Sequence, residues 1–406
     1  MNKLYVLFIV MILTLSGCTP SDTSKYSCAS VDGTSYYKCV VVLTEIGASM
    51  NGSEISVSFT GYVKKKSSFD VYVDLVRSEY LRLNHIFDKY NDVEGVNNLK
   101  TINDNAGVAP VVVDQSLIDL LLISKEWQTK SLGTFDASLG AVLKIWHNYR
   151  EEGQSLNEGG DLAPIPTLIE LQAASQYVGW DFVQIDDTAN TVYITNVQAS
   201  LDLGGIAKGY TTDLVAAKLK EAGLESGLLS FGGSSSVMIG SKPNKLNWNV
   251  GIRAPIRGNP YIELDYVYLA NSFSLSSSGD DQNYYQGSDG KYYHHVIDPK
   301  TFYPVDNGIH SVTIFTTESA TIAEALSKTL FILPFEEAYA YLNQYNLDHP
   351  DQTLYAIWIF DYQKAPAGYA SVDFLTGTAS GSSNPTDAPY TLVYSTNLKG
   401  KTAKYN

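Results

Sequence analysis

Apolar residues recur along the chain at two spacings, every second position and every third or fourth. Ile55, Val57 and Phe59 alternate with polar neighbours and predict a strand, and Lys64-Lys65-Lys66 reads as the solvated turn after it. Val76, Tyr80, Leu83 and Phe87 share one helical face. Ser116, with Asp119 three residues on, gives a capping-box-like start to a helix over 117–130. Residues 150–165 are charged and glycine-rich and read as a surface insertion; 166–187 reads as a helix and then a strand. Further on, strands are predicted over 228–233, 312–315 and 354–360, and a helix over 336–342. Helices and strands mix without a regular strand–helix–strand period, which implies an α/β or α+β fold, a mixed sheet core with packed helices.

One stretch, Ser200 to Gly223, organises the rest. Leu201 and Leu203 alternate about Asp202 as a short strand would. Gly204 and Gly205 follow, and residues without side chains let a backbone or ligand come close. Ile206, Tyr210, Leu214 and Leu219 then recur at helical spacing, with Gly223 where a C-cap belongs. A helix that starts on a glycine turn directs free N–H groups forward, a position that suits phosphate. Lys208 adds a cation in the first turn, so Asp202 and Lys208 flank a candidate anion site. Taken alone, the stretch is also an ordinary strand–turn–helix connection with a surface lysine.

Charge narrows the partners. The 406 residues carry a net charge of −15, a field that repels nucleic-acid phosphate, with no basic aromatic patch to offset it. Any phosphorylated ligand must therefore be met by cations gathered locally. At the N-terminus Lys3 precedes an apolar run from Leu4 to Leu15, too short for a comfortable membrane span. It ends in Leu15-Ser16-Gly17-Cys18, which resembles a bacterial lipobox; cleavage there would leave a lipidated Cys18 and an anchor on the extracytoplasmic face of the cell membrane. Cys28 and Cys39 then remain as a pair, either a disulfide closing a small loop or two free thiols.

Several ordered blocks carry a family resemblance. They are Ser131-Leu132-Gly133-Thr134-Phe135-Asp136-Ala137-Ser138-Leu139-Gly140, Leu203-Gly204-Gly205-Ile206-Ala207-Lys208-Gly209-Tyr210, Gly232-Gly233, and Trp248 through Pro255. Ser277-Ser278-Gly279-Asp280, His295-Val296-Ile297-Asp298-Pro299 and Ala323 through Phe331 complete the series. Together they resemble the FAD:protein FMN transferases, the ApbE-type flavin transferase family, over roughly residues 50–365. Five positions depart from the family pattern: Ser138 replaces a Thr, Ser234 stands where Asp or Asn is usual, and Phe302 replaces a Gly. The other two share one helix, where Lys328 replaces a Thr and Glu324 replaces an Asp. The implied organisation is a signal peptide (1–17), a tether with a small cysteine-bearing segment (18–49), a flavin transferase-like domain (50–376) and a Ser/Gly/Pro-rich tail (377–406).

The resemblance implies a reaction. FAD's pyrophosphate is broken, AMP leaves, and FMN is joined to a Thr or Ser hydroxyl of a target protein, here a membrane-associated flavin-accepting electron-transfer protein. It implies FAD contacts at Thr134, Phe135, Asp136, Asp202, Lys208, Ser278 and Gly279. His295 is the implied base, since imidazole titrates near neutral pH; His294 packs or faces solvent. It also implies Mg²⁺, held by the Gly205 carbonyl and the side chains at 324 and 328. A protonated lysine cannot ligate Mg²⁺ and repels it, so the expected site is weakened. Lys328 either swings away or pairs with Glu324 in place of the metal. A plainer alternative makes Thr321 and Glu324 a capping box and Glu324–Lys328 a helix-surface pair. Two other functions stay open: an FAD pyrophosphatase with water as acceptor, and a non-catalytic flavin-binding surface lipoprotein. Asp373 to Ala379 loosely resembles the family's acceptor motif, with its last two positions interchanged, and self-flavinylation at Thr376 is not expected.

Overall fold

The computed structural model describes residues 26–44, 56–258, 262–374 and 389–406. Cys18 with its lipobox, Ile55 and Thr376 lie outside these residues.

One ten-stranded sheet dominates. Its strands are β1 (Ser27–Ser30), β2 (Tyr37–Leu43), β3 (Val57–Val63), β4 (Gly227–Phe231) and β5 (Ser235–Ile239). They continue with β6 (Ser274–Gly279), β7 (Ile309–Thr316), β8 (Leu354–Asp361), β9 (Ser371–Phe374) and β10 (Tyr390–Tyr394). They neighbour one another in chain order until the end, where β10 lies between β8 and β9. The helices are α1 (Ser68–Phe87), α2 (Leu99–Asp104), α3 (Gln115–Lys130), α4 (Gly140–Glu158), α5 (Leu168–Ser175), α6 (Ala207–Glu221), α7 (Ala320–Ile332) and α8 (Phe335–Asp348). Helices and sheet form an α+β arrangement, as expected. Every neighbouring strand pair of the large sheet is antiparallel, so the mixture is of helices with strands and not of strand directions.

Both faces of the sheet are covered, which explains why β8 reads as one continuous apolar run. Leu354, Ala356, Trp358 and Phe360 pack on the helical side. Tyr355, Ile357 and Ile359 pack on the other, against the hairpin formed by Trp248–Arg253 and Glu263–Leu269. α6 packs against α1, α7 and β5. Its approach to α7 is very close, because a Cβ on Gly209 would lie 2.3 Å from the Ala320 carbonyl oxygen. Only glycine fits there. Asp213, one turn further along α6, accepts the Ala320 and Thr321 N–H groups at 2.8 Å each and so fixes the start of α7.

Several expectations are corrected. Leu201 to Leu203 is no strand: its backbone groups bond the Asn103 side chain and the Ala137 carbonyl, not a neighbouring strand. α3 starts at Gln115, two residues before the expected Leu117, with Asp114 and not Ser116 as its N-cap, accepting the Ser116 N–H. Residues 150–158, expected as insertion, are the second half of α4, which buries Val142, Trp146 and Gly153. The cysteine-bearing segment is not an appendage: β1 and β2 extend the main sheet, with the Cys28–Cys39 disulfide joining the two strands in register. Residues 389–406 are not a tail, since β10 pairs on both sides and Leu392, Val393 and Tyr394 are fully buried. Low-complexity composition gives way to apolar strand at Tyr390. No helix of the described residues is long and apolar enough to cross a membrane.

Candidate active site

The site is built where the loop before α6 meets the end of α1, the start of α4, the middle of α7 and the segment after β6. Asp202 is held by its surroundings. Its carboxylate accepts the Gly204 N–H at 2.8 Å and forms an ion pair with Lys89, the second residue after α1. Burial would raise the Asp202 pKa, but the Lys89 ammonium and the Gly204 N–H hold it below its ordinary value. Burial likewise opposes the charge of Lys89, and Asp202 more than reverses this. The two shifts agree on a charged pair. Phe87, Leu99, Leu203 and Ala207 line the groove beside Lys89, Gly204 and Lys208.

Lys208 was expected to offer a free cation beside free helix amides. Instead its Nζ lies 2.6 Å from Glu324 Oε1, and Glu324 Oε2 accepts the Gly209 N–H at 2.6 Å. The carboxylate of α7 thus takes the anion position at the start of α6. Glu324 is only 1% exposed. Lys328 Nζ stands 3.5 Å from the same Oε1 and 3.5 Å from the Glu324 carbonyl oxygen. Its Cε borders Gly205, where an added Cβ would lie 3.4 Å from Lys328 and 3.0 Å from the Phe135 ring. Burial, with Lys208 adding to it and Glu324 opposing, pushes the Lys328 pKa down to about 8. Burial raises the Glu324 pKa less than the two lysines and the Gly209 N–H lower it.

Gly205, Glu324 and Lys328 therefore do meet, but as an ion-pair cluster. The Glu324 carboxylate already faces two ammonium groups and accepts an amide, and one of the three expected ligands is itself a cation. No group of three or more His, Cys, Asp or Glu among the described residues is arranged to hold a metal. This donor set does not fit Mg²⁺, which requires oxygen ligands. The capping-box alternative fails too, because Ser319 is the N-cap of α7.

Other expected contacts have local duties. Thr134 is buried and donates to the Ser131 carbonyl at 2.8 Å. Asp136 accepts the Ser138 N–H, the Ser138 hydroxyl and the Gln128 amide at 2.7–2.8 Å, capping the turn Ala137–Leu139. Of that loop, Phe135 reaches the cluster. The Ser278 hydroxyl lies 2.9 Å from that of Ser327, which donates to the Glu324 carbonyl, so Ser278 steadies α7 from behind. Gly279 ends β6, with Asp281 and the His310 carbonyl close by.

His295 follows the hairpin of Tyr284–Gln286 and Tyr292–His294. Its Nδ1 is 3.2 Å from the Gln282 carbonyl oxygen. A carbonyl can only accept, so Nδ1 carries the proton and Nε2 keeps its lone pair. Solvent reaches the ring, yet protein surrounds it closely. Desolvation first, then Arg150, His294, Lys328 and Lys208, push its pKa well below the ordinary value, so the imidazole is neutral at pH 7. His294 is structural: buried, it donates through Nε2 to the Val305 carbonyl at 2.8 Å and accepts the Val296 N–H at Nδ1.

Lys89, Tyr90, His147 and Arg150 escaped the sequence reading. Arg150 donates to His147 Nδ1 at 3.2 Å, and the His147 ring lies 4.7 Å from that of Tyr90. Arg150 acts electrostatically on both Asp202 and His295, which ties the two ends of the site together. An acidic chain has here collected Lys208, Lys328 and Arg150 around a neutral imidazole. That arrangement suits a phosphorylated substrate with a hydroxyl to be deprotonated.

The model of the ApbE family matches residues 52–350. The chain belongs to the ApbE family. The FAD:protein FMN transferase of Treponema pallidum (strain Nichols) is 33% identical over 290 residues, 68% of this chain and 74% of that one. That of Klebsiella pneumoniae (strain 342) is 28% identical over 267 residues, 65% and 78% of the two chains. Among solved structures, the ApbE protein of Thermotoga maritima MSB8 superposes with a TM-score of 0.62 at 25% identity, covering 80% of this chain and 94% of that one. The flavin transferase ApbE of Vibrio cholerae shares the fold with a TM-score of 0.62 at 19% identity, covering 89% and 98%. Against the ApbE pattern, the departure at Phe302 has a visible consequence. Its φ is 64°, in the left-handed region that favours glycine. Its carbonyl accepts the Trp146 indole N–H at 2.7 Å, which keeps the turn after His295 on α4.

Proposed function

We propose that this chain is an FAD:protein FMN transferase. The observation that carries the reading is a neutral His295, with Nε2 available, under the field of Lys208, Lys328 and Arg150. The acceptor hydroxyl oxygen attacks the flavin-side phosphorus of FAD while its proton passes to His295 Nε2. The new O–P bond forms as the bridging P–O bond breaks, and AMP leaves with the electron pair. The lysines neutralise the pyrophosphate and the phosphate charge on departing AMP. The Lys89–Asp202 pair holds the glycine turn in place beside them.

Hydrolysis of FAD with water as acceptor uses the same groups, and the solvent access of His295 favours it as a side reaction. Incubating the soluble part with FAD and a peptide carrying D-x-x-[ST]-G-A-T separates the two in a mass spectrum. Transfer gives a peptide bearing FMN plus AMP; hydrolysis gives free FMN and AMP with unmodified peptide. Unmodified peptide in every sample, with or without added Mg²⁺, overturns the transferase reading.

The location proposed is the extracytoplasmic face of the cell membrane, through lipidated Cys18, with a membrane-associated electron-transfer protein as acceptor. The Cys28–Cys39 disulfide suits such an oxidising compartment. Cys18→Ala should release the protein from membranes or leave it unprocessed, and unchanged retention and processing would refute the anchor.

A further inference from the structure

We propose that Lys328 supplies an ammonium where the family resemblance implied a divalent cation, so that the Lys208–Glu324–Lys328 cluster binds the FAD pyrophosphate without metal. The inference rests on the FAD reading of the same site. It starts from the oxygen count at Glu324. Oε1 is shared by Lys208 at 2.6 Å and Lys328 at 3.5 Å, and Oε2 is taken by the Gly209 N–H. A divalent cation at this carboxylate would have to displace an ammonium and then sit beside it, which like charge opposes.

Two lysines face one carboxylate, so the cluster keeps one net positive charge, and Arg150 adds its field nearby. An ammonium has three donors. Among the described residues Lys328 makes two long contacts, both of 3.5 Å and both to Glu324. It is held loosely enough to turn its donors toward a phosphate oxygen. Lys208, at 2.6 Å, is the fixed member. The Lys328 stem also lies close to Gly205 and the Phe135 ring, where an added Cβ would be 3.4 Å from Lys328 Cε and 3.0 Å from Phe135. Behind it, the Ser278–Ser327–Glu324 hydrogen bonds hold this turn of α7 against β6. The carboxylate is then a positioning group for two cations, and the cations are the electrophilic part of the site.

The test uses the whole soluble chain, stripped with EDTA, and two readouts. The first is FAD binding, followed by flavin fluorescence without metal and with added Mg²⁺. The wild type should bind FAD equally well, within about two-fold, in both conditions. Lys328→Met should weaken binding at least roughly ten-fold in EDTA, the size of one lost charge contact, while Lys328→Arg should stay near wild type. The second is transfer to the acceptor peptide. Wild-type transfer should survive EDTA, and the double variant Glu324→Asp, Lys328→Thr should transfer only when Mg²⁺ is added. Calorimetric titration of the wild type with Mg²⁺ alone should show no tight binding. Tight Mg²⁺ binding, or FAD binding lost in EDTA and restored by Mg²⁺, overturns the proposal. A chain that binds FAD in EDTA through Lys328 yet never modifies the peptide would uphold the cluster while refuting the transferase reading.

Discussion

Glu324 Oε1 and Lys208 Nζ lie 2.6 Å apart although 116 residues separate them in the chain. α6 enters before β4, and α7 follows β7, so the pair closes only when the middle of the sheet is complete. Gly209 makes the closure possible, by letting the two helices touch where any side chain would collide with the Ala320 carbonyl. Ligand binding and folding are therefore joined at one carboxylate.

Neutralising that carboxylate should expose the joint. Glu324→Gln leaves Lys208 and Lys328 facing each other without a counter-charge and is expected to cost about 3 kcal/mol, as for a broken buried pair. The folded-state pKa of Glu324 is depressed, so its contribution is present above the unfolded carboxylate value and is lost as pH falls through the folded one. Urea unfolding at pH 7 and at acid pH measures both points. An equal difference between variant and wild type at the two pH values would contradict the assignment.

His295→Ala should lower transfer roughly 10²–10⁴-fold, the range for a lost general base, with FAD affinity retained. Because the His295 pKa is held well below the ordinary value, the imidazole is already neutral at pH 6.5. The rate should thus be insensitive to His295 protonation above that pH and decline only in more acid solution. A wild-type inflection near pH 6.5 or above that vanishes in the alanine variant would show the base to be ordinary.

At Phe302 the usual cost of glycine should invert. Phe302→Ala and Phe302→Gly both remove the ring, so they differ only in backbone. With φ at 64°, alanine keeps the left-handed strain and glycine relieves it. The glycine variant is expected to be the more stable of the two by about 1 kcal/mol. Denaturant midpoints decide it, and an alanine variant at least as stable would mean the turn relaxes.

His310 offers a stability test away from the chemistry. Its Nδ1 lies 2.9 Å from Asp280 and its Nε2 3.1 Å from Asp361. Burial lowers its pKa, but the two carboxylates outweigh this and raise it. Its stabilisation is then full below the unfolded value and fades as pH rises through the folded one. Replacing it with Gln should cost more at pH 6 than at pH 9 by thermal melting, and the reverse order would refute the bridge.

The sequence disclosed elements wherever one residue's neighbours carried the burial signal. α1 showed its face through Val76, Tyr80, Leu83 and Phe87, all buried, and β8 showed itself as an unbroken apolar run. Leu201 and Leu203 alternate as a strand does, yet both are buried by a loop tied to Asn103, because alternation reports burial and not pairing. In the site, Lys208, Glu324 and His295 stood out through ordered motifs. Lys89 and Arg150 did not, since folding alone brings them beside Asp202 and His295. Asp136 and Ser278 show the opposite difficulty. Residues that bind ligands are also residues that cap turns and brace helices, and sequence does not tell which way a short polar side chain faces.

The placement of β10 between β8 and β9 governs how the molecule is finished. Synthesis delivers residues 371–374 before 390–394, so the nascent chain presents two strand edges waiting for an insert that has not yet emerged. Until it arrives, those edges are free to pair with each other or with another chain. A stalled or clipped polypeptide lacking the inserting strand would therefore be lost to aggregation with its entire catalytic cleft already encoded.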